Sequence, residues 1–213
     1  MLRVALINGS PKFKDSASDC LLEELKEYLK DTEVKKLELH TPVLAATEQT
    51  LLLDSDALVF SFPLYVDGIP SHLLHCLTGL EQLLRDNKRN IRVYAIVNCG
   101  FYEAHQNKHA LQIMKNWCVR ANLSWGQGVA VGAGGMVLSI RSVPPGAGPK
   151  KKLTMALQEL ASTIREDKES QDIYVTPGFP RFLYKASADL GWGQAIKANG
   201  LKPKDLNRRL AKQ

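Results

Sequence analysis

The stretch Leu2-Arg3-Val4-Ala5-Leu6-Ile7-Asn8-Gly9-Ser10-Pro11-Lys12 decides the fold of this chain. It is an apolar run that ends in a Gly/Ser turn and is followed, after Ser16 and Ser18, by an amphipathic helical pattern. The pattern predicts a buried strand, a short loop and a helix. Amide N–H groups at the start of such a helix and nearby serine hydroxyls point to one position, which suits a phosphate monoester.

The loop itself supports two interpretations. Ser10, Ser16 and Ser18 offer hydroxyl groups, and Lys12 offers a positive charge. The Gly-Lys-Ser/Thr sequence of nucleoside triphosphatases is missing, and no Gly-x-Gly-x-x-Gly pattern occurs in the chain. An ordinary turn followed by a serine-capped helix is the equal alternative to a phosphate site.

Composition indicates one domain with a tail. The 213 residues, 45% of them hydrophobic, allow one sizeable core. No apolar stretch is long enough for a membrane helix, and the first residues lack the layout of a signal peptide, so we expect a cytoplasmic protein. The four cysteines are widely spaced, which predicts neither a disulfide framework nor a zinc site.

The formal charge of +6 is confined to the C-terminal end. From Arg181 onward there are eight Lys or Arg residues against Asp189 and Asp205, and the preceding residues are electrically balanced. A solvated helix or chain end explains such a tail better than nucleic-acid binding does. We therefore expect no nucleic-acid and no membrane partner.

Apolar runs alternate with helical periodicity along the chain. Strand-like runs begin at residues 2, 34, 57, 92 and 129, and each is followed by a helical stripe. This alternation predicts an α/β protein with a flavodoxin-like, doubly wound, five-stranded parallel sheet of order 2-1-3-4-5. We expect residues 1–170 to form this domain and residues 171–213 to form a basic, aromatic-containing helical extension that packs on the domain or on a partner subunit.

Two further loops follow predicted strands at the same edge of the sheet. The loop Pro63–Pro70 contains two prolines, a glycine and Tyr65, and could form an apolar wall for a planar ring. Packing of Tyr65 on a neighbouring helix is the alternative. The loop Asn98–Glu103 again places small and aromatic residues after a buried strand.

Taken together, four segments resemble the NADPH-dependent FMN reductase family of flavodoxin-like NAD(P)H oxidoreductases. They are Ile7–Lys12 with Ser16, Asp56–Tyr65 with Gly68-Ile69-Pro70, Asn98–Phe101, and Gly132-Ala133-Gly134-Gly135. The resemblance extends over roughly residues 1–165.

The resemblance implies bound FMN and NAD(P)H as co-substrate. Hydride would pass from the nicotinamide to FMN and then, in a ping-pong reaction, to a quinone, a free flavin or another small electron acceptor. No catalytic side chain is needed, and a homodimer or homotetramer is expected. The implied cofactor-binding residues are Ser10, Pro11, Lys12, Ser16 and Ser18 at the phosphate, Pro63, Leu64, Tyr65 and Val66 at the ring, and Asn98, Cys99, Gly100 and Phe101 at its pyrimidine side.

Two other functions remain open at this point. A flavodoxin-type electron carrier is the first, although such carriers are acidic and lack a basic tail. A flavodoxin-like scaffold without a cofactor is the second. Elsewhere, we expect His72 and His75 to be surface histidines rather than metal ligands. The run Lys150-Lys151-Lys152 indicates either a solvated loop or a contact with the 2′-phosphate of NADPH.

Overall fold

A computed structural model describes residues 1–87, 89–176 and 178–207 of the chain. Strands and helices alternate along it. The strands are β1 (Arg3–Asn8), β2 (Glu33–Glu38), β3 (Ala57–Pro63), β4 (Arg92–Asn98), β5 (Ser124–Val131) and β6 (Ile173–Val175). The helices are α1 (Ala17–Lys26), α2 (Ala46–Asp54), α3 (Ser71–Arg85), α4 (Lys108–Arg120), α5 (Lys151–Arg165) and α6 (Arg181–Ala198).

The strands form one parallel sheet with the order β2-β1-β3-β4-β5-β6. The predicted flavodoxin-like fold and the order of its first five strands are confirmed. The predicted number of strands is wrong by one, because residues 173–175 pair with residues 129–131 at the outer edge of β5. Three residues are too few to show a period, so β6 could not be predicted from the sequence.

Helices cover both faces of the sheet. Side chains of β3 alternate between the faces: Leu58 and Phe60 pack with helices α3 and α4, whereas Ala57 and Val59 pack with α1 and α5. This double burial explains why β3 is a continuous apolar run in the sequence. Two apolar layers, one on each side of the sheet, therefore form the core.

The chain divides into two compact units, residues 1–178 and 179–213. The first contains the whole sheet, including β6. In the second, α6 has no buried residue, and Phe182, Leu190 and Trp192 are largely exposed. The basic residues Arg208, Arg209 and Lys212 lie outside the described residues. None of the helices described is both long and apolar enough to cross a membrane.

Candidate active site

The loop after β1 leads directly into the N-terminus of α1. Ser16 is the N-cap residue, with an extended backbone, and its Oγ accepts a hydrogen bond from the amide of Asp19 at 3.0 Å. At the other end of the loop, the Gly9 amide donates to the Ser61 carbonyl at 2.8 Å. A Cβ on Gly9 would stand 2.6 Å from Leu73 Cδ2, so a larger residue here would require the Leu73 side chain to move. The loop is thus fixed at both ends.

The first turn of α1 keeps donors available. Within the described part of the chain, the amides of Ala17 and Ser18 donate to no protein acceptor. The Ser10 Oγ accepts a hydrogen bond from the Lys12 amide at 3.3 Å, which leaves its own hydrogen free to donate. Lys12 is exposed and forms no ion pair with any described residue. Free amides, hydroxyls and a cation at a helix N-terminus are an anion-binding set.

A cleft of about 290 Å³ extends from this loop across the carboxyl ends of β1, β3 and β4. It brings together nine of the thirteen residues implied by the resemblance. They are Ser10, Lys12, Ser16, Ser18, Pro63, Leu64, Tyr65, Asn98 and Gly100. Pro11, Val66, Cys99 and Phe101 do not line it, so their expected contacts with a cofactor stay predictions. The cleft is also lined by Ala17, Gly134, Gly135 and Leu138, which the sequence analysis did not assign as site residues.

The loop after β3 contains a tight turn that explains the position of Val66. Tyr65 and Gly68 donate their amides to each other's carbonyls at 3.0 Å, and Val66 (φ 47°) and Asp67 (φ 58°) between them are left-handed. Two successive residues with positive φ correspond to a type I′ turn. The turn directs Val66 into solvent, while the half-exposed Tyr65 stays at the cleft.

Asn98 connects the strands that border the cleft. The side-chain Nδ2 donates to Ser18 Oγ at 2.9 Å and to the Phe62 carbonyl at 3.2 Å. The backbone carbonyl of Asn98 accepts a hydrogen bond from the Leu64 amide at 2.7 Å. Both amide hydrogens are therefore used within the protein. Asn98 holds Ser18 of α1 and the end of β3 in place.

Cys99 lies behind the cleft. Its thiol is within 3.6 Å of the Phe101 carbonyl, and Asn107 Nδ2 donates to its Sγ at 3.4 Å. Burial raises the pKa of the Cys99 thiol. The side chain is therefore a packed thiol rather than a reactive one.

The loop after β5 supplies the remaining wall. Ala133 is left-handed (φ 51°), and the amide of Gly134 donates to the Cys99 carbonyl at 2.6 Å. A Cβ on Gly132 would stand 2.2 Å from the Tyr102 carbonyl oxygen. The glycines let this loop lie against the loop after β4. The only signal for it in the sequence was the Gly132–Gly135 segment of the resemblance.

A second cleft, of about 670 Å³, shares Ser16 and Leu138 with the first and runs along α1. Lys150 lies in it with a side chain only 8% exposed and pairs with Glu24 at 3.0 Å. The solvated-loop interpretation is therefore wrong for Lys150, whose charge pairs with Glu24 inside the protein, whereas a contact with the 2′-phosphate of NADPH stays a prediction.

The two histidines of α3 differ. His75 is exposed, as predicted, whereas His72 is half-buried and its Nε2 lies 3.0 Å from the Leu39 carbonyl. Burial lowers the pKa of His72. A cluster of three or more His, Cys, Asp or Glu side chains suited to a metal ion is not found among the described residues.

Residues 2–75 match a protein-family model described as "Flavodoxin-like fold". No curated protein matches the sequence.

Solved structures resemble the chain over most of its length. An NADH:FMN oxidoreductase in its apo form has a TM-score of 0.60 and 13% identity, over 80% of this chain and 91% of that one. An NAD(P)H:quinone oxidoreductase from Methanothermobacter marburgensis has a TM-score of 0.55 and 14% identity, over 75% and 94%. An NADPH-quinone reductase from P. pentosaceus has a TM-score of 0.55 and 16% identity, over 76% and 98%.

These identities are low, so the structural matches bear on the fold. The family-model match covers β1 to the first residues of α3, which includes the loop at the anion-binding end of the cleft. The chain therefore has the flavodoxin-like fold, and its resemblance to the flavodoxin-like FMN reductases is consistent with both comparisons.

Proposed function

We propose that this protein is an FMN-dependent NAD(P)H oxidoreductase. The observation that carries the proposal is the cleft itself, which combines an anion-binding helix N-terminus with an apolar wall at the carboxyl ends of parallel strands. This is the position at which doubly wound α/β sheets bind nucleotide-like ligands.

The residues present fit FMN at both ends. A phosphate monoester would receive hydrogen bonds from the unpartnered amides of Ala17 and Ser18 and from the Ser10 and Ser16 hydroxyls, and charge from Lys12. Pro63, Leu64 and Tyr65 would offer the apolar surface that a planar ring needs.

FMN, when bound, supplies the hydride chemistry, and the protein supplies binding, orientation and electrostatics. Among the described residues that line the cleft there is no Asp, Glu, His or Cys side chain. The proposal assigns no catalytic side chain, because the hydride chemistry belongs to FMN. The exposed glycines Gly100 and Gly135 leave room beside the apolar wall for a second planar reactant.

The finer features of the reaction belong to the same proposal. NADH or NADPH would be the hydride donor, and a quinone, a free flavin or another small molecule the acceptor, in a ping-pong sequence through one cleft. The names of the similar structures, among them NADPH-quinone reductase and NADH:FMN oxidoreductase, support this class of reaction. The protein would act as a homodimer or homotetramer in the cytoplasm.

The anion-binding end is tested with the Ser10→Ala/Ser16→Ala double variant. Each lost hydrogen bond to a charged group is worth about 1–2 kcal/mol, so we expect FMN binding to weaken by about 2–4 kcal/mol in a fluorescence titration. Ser124→Ala is the matched control, because Ser124 is the first residue of β5 and lies at the amino end of the strands, away from the cleft. Because Ser16 also caps α1, circular dichroism must show that the double variant is folded.

The enzyme reading is tested by anaerobic addition of NADH or NADPH to the FMN-loaded protein. We expect at least one of them to bleach the flavin absorbance. A protein that binds FMN but is reduced by neither nicotinamide would refute the oxidoreductase and favour an electron carrier. For the Ser10→Ala/Ser16→Ala variant, an unchanged affinity for FMN would mean that the phosphate binds elsewhere.

A further inference from the structure

Ser10, in the loop that lines the cleft, has both of its backbone polar groups held by side chains. Its amide donates to Asn8 Oδ1 at 3.1 Å, and its carbonyl lies 2.8 Å from His40 Nδ1. Ser10 is 2% exposed, so water cannot easily replace these bonds. Because a carbonyl can only accept, His40 Nδ1 carries the hydrogen and donates it.

Glu38 joins the two supporting side chains. Its Oε2 accepts a hydrogen bond from Asn8 Nδ2 at 2.6 Å and lies 3.3 Å from His40 Nε2. With hydrogen on both ring nitrogens of His40, a closed ring of hydrogen bonds runs from Ser10 through Asn8, Glu38 and His40 back to Ser10. Two members lie on neighbouring strands, at the ends of β1 and β2, so the rigid sheet fixes their positions.

His40 also contacts the middle of the loop. The rings of His40 and Phe13 lie 4.6 Å apart between centroids, although Phe13 is otherwise exposed. His40 itself does not line the cleft, whereas Ser10 and Lys12 do. Its influence on a ligand must therefore pass through the loop.

We propose that His40 is a positioning residue for the phosphate-binding loop, in which the bond from Nδ1 to the Ser10 carbonyl, supported by Glu38 and Asn8, keeps the Ser10 hydroxyl and the Lys12 charge directed at the phosphate. This inference rests on the proposed function, because the phosphate is that of FMN. It gives a positioning role to His40, Glu38 and Asn8, none of which lines the cleft.

The test compares FMN with riboflavin, which lacks the phosphate, in fluorescence titrations of the unmodified chain and three variants. In His40→Leu the donor is lost, and we expect FMN affinity to fall about three- to tenfold, the value of one hydrogen bond, with riboflavin affinity unchanged. In His40→Asn the amide nitrogen is attached to Cγ, as Nδ1 is in histidine, so affinity for FMN should be restored to within about twofold of the unmodified chain. His109→Leu, at an exposed position of α4, is the matched control and should change neither affinity.

Three results would overturn the inference. They are an unchanged FMN affinity in His40→Leu, an equal loss for riboflavin, and an Asn variant that binds FMN no better than the Leu variant. If His40→Leu does not fold, Glu38→Ala serves instead, because it removes the contacts of Glu38 with His40 and Asn8. A ratio of FMN to riboflavin affinity in Glu38→Ala equal to that of the unmodified chain would contradict the inference. Failure of the unmodified chain to bind FMN at all, by contrast, would remove the proposed function and this role with it.

Discussion

Replacing Asn98 by alanine should lower the free energy of unfolding by about 2–6 kcal/mol. Asn98 is 5% exposed, and its amide donates to Ser18 Oγ and to the Phe62 carbonyl. Each net hydrogen bond is worth about 0.5–1.5 kcal/mol, and a buried polar group left without a partner costs about 1–3 kcal/mol more. The backbone bond from the Leu64 amide to the Asn98 carbonyl survives the change, so the strand itself should not separate.

Urea denaturation followed by circular dichroism measures this loss. An unchanged slope of the free energy of unfolding against urea concentration would indicate that the unfolded state is unaltered. Asn116→Ala is the control. Asn116 is an exposed asparagine of α4 whose side chain accepts from Gln112 alone among the described residues, so its replacement should change the free energy of unfolding by no more than about 0.5 kcal/mol. A loss in Asn98→Ala no larger than in the control would refute the role of Asn98 as the link between α1, β3 and β4.

Four further substitutions test the packing around the two clefts, each by urea denaturation. Lys150→Met removes the ion-pair partner of the Glu24 carboxylate, which keeps its hydrogen bond from Thr154, and should cost about 3–5 kcal/mol; a cost below about 1 kcal/mol would mean that the pair is solvated. Gly132→Ala forces a Cβ against backbone atoms of residues 102–104 and should cost about 1–3 kcal/mol, whereas Gly135→Ala, with open space around it, should stay within about 0.5 kcal/mol. Equal effects of the two alanines would contradict the tight approach of the two loops. Val66→Asn relieves a β-branched residue at φ 47° and should stabilise the protein by about 1 kcal/mol; a loss of stability would show that the valine side chain packs.

Much of the fold could be predicted from the sequence, because buried parallel strands have long apolar runs. Residues 57–62 are the best example, since both faces of β3 are covered. The edge strand β6 could not be predicted. It comprises Ile173, Tyr174 and Val175 alone, and its pairing with β5 depends on tertiary contacts rather than on a local pattern.

The site was predictable as a set of loops but not side chain by side chain. Topology alone brings together the loops after β1, β3 and β4, because the carboxyl ends of parallel strands share one edge. The direction of each side chain depends on backbone angles within the turns. Val66, which has a positive φ, points into solvent. The buried Cys99 thiol accepts a hydrogen bond from Asn107 and does not line the cleft.

Charged residues were the hardest to place. Lys150 stands in a run of three lysines after a loop rich in Pro and Gly, which is typical of solvated sequence. Its partner Glu24 lies on α1, far away in the sequence. The same holds for His40 and Glu38, whose contacts with Ser10 and Asn8 no local sequence pattern indicates.

A crystal structure of the protein with saturating FMN tests the central claim most directly. We expect the phosphate to accept hydrogen bonds from the Ala17 and Ser18 amides and the Ser10 hydroxyl, with the ring system beside Pro63, Leu64 and Tyr65. A cleft that stays empty at saturating FMN, or a flavin bound with its phosphate away from the start of α1, would contradict the account.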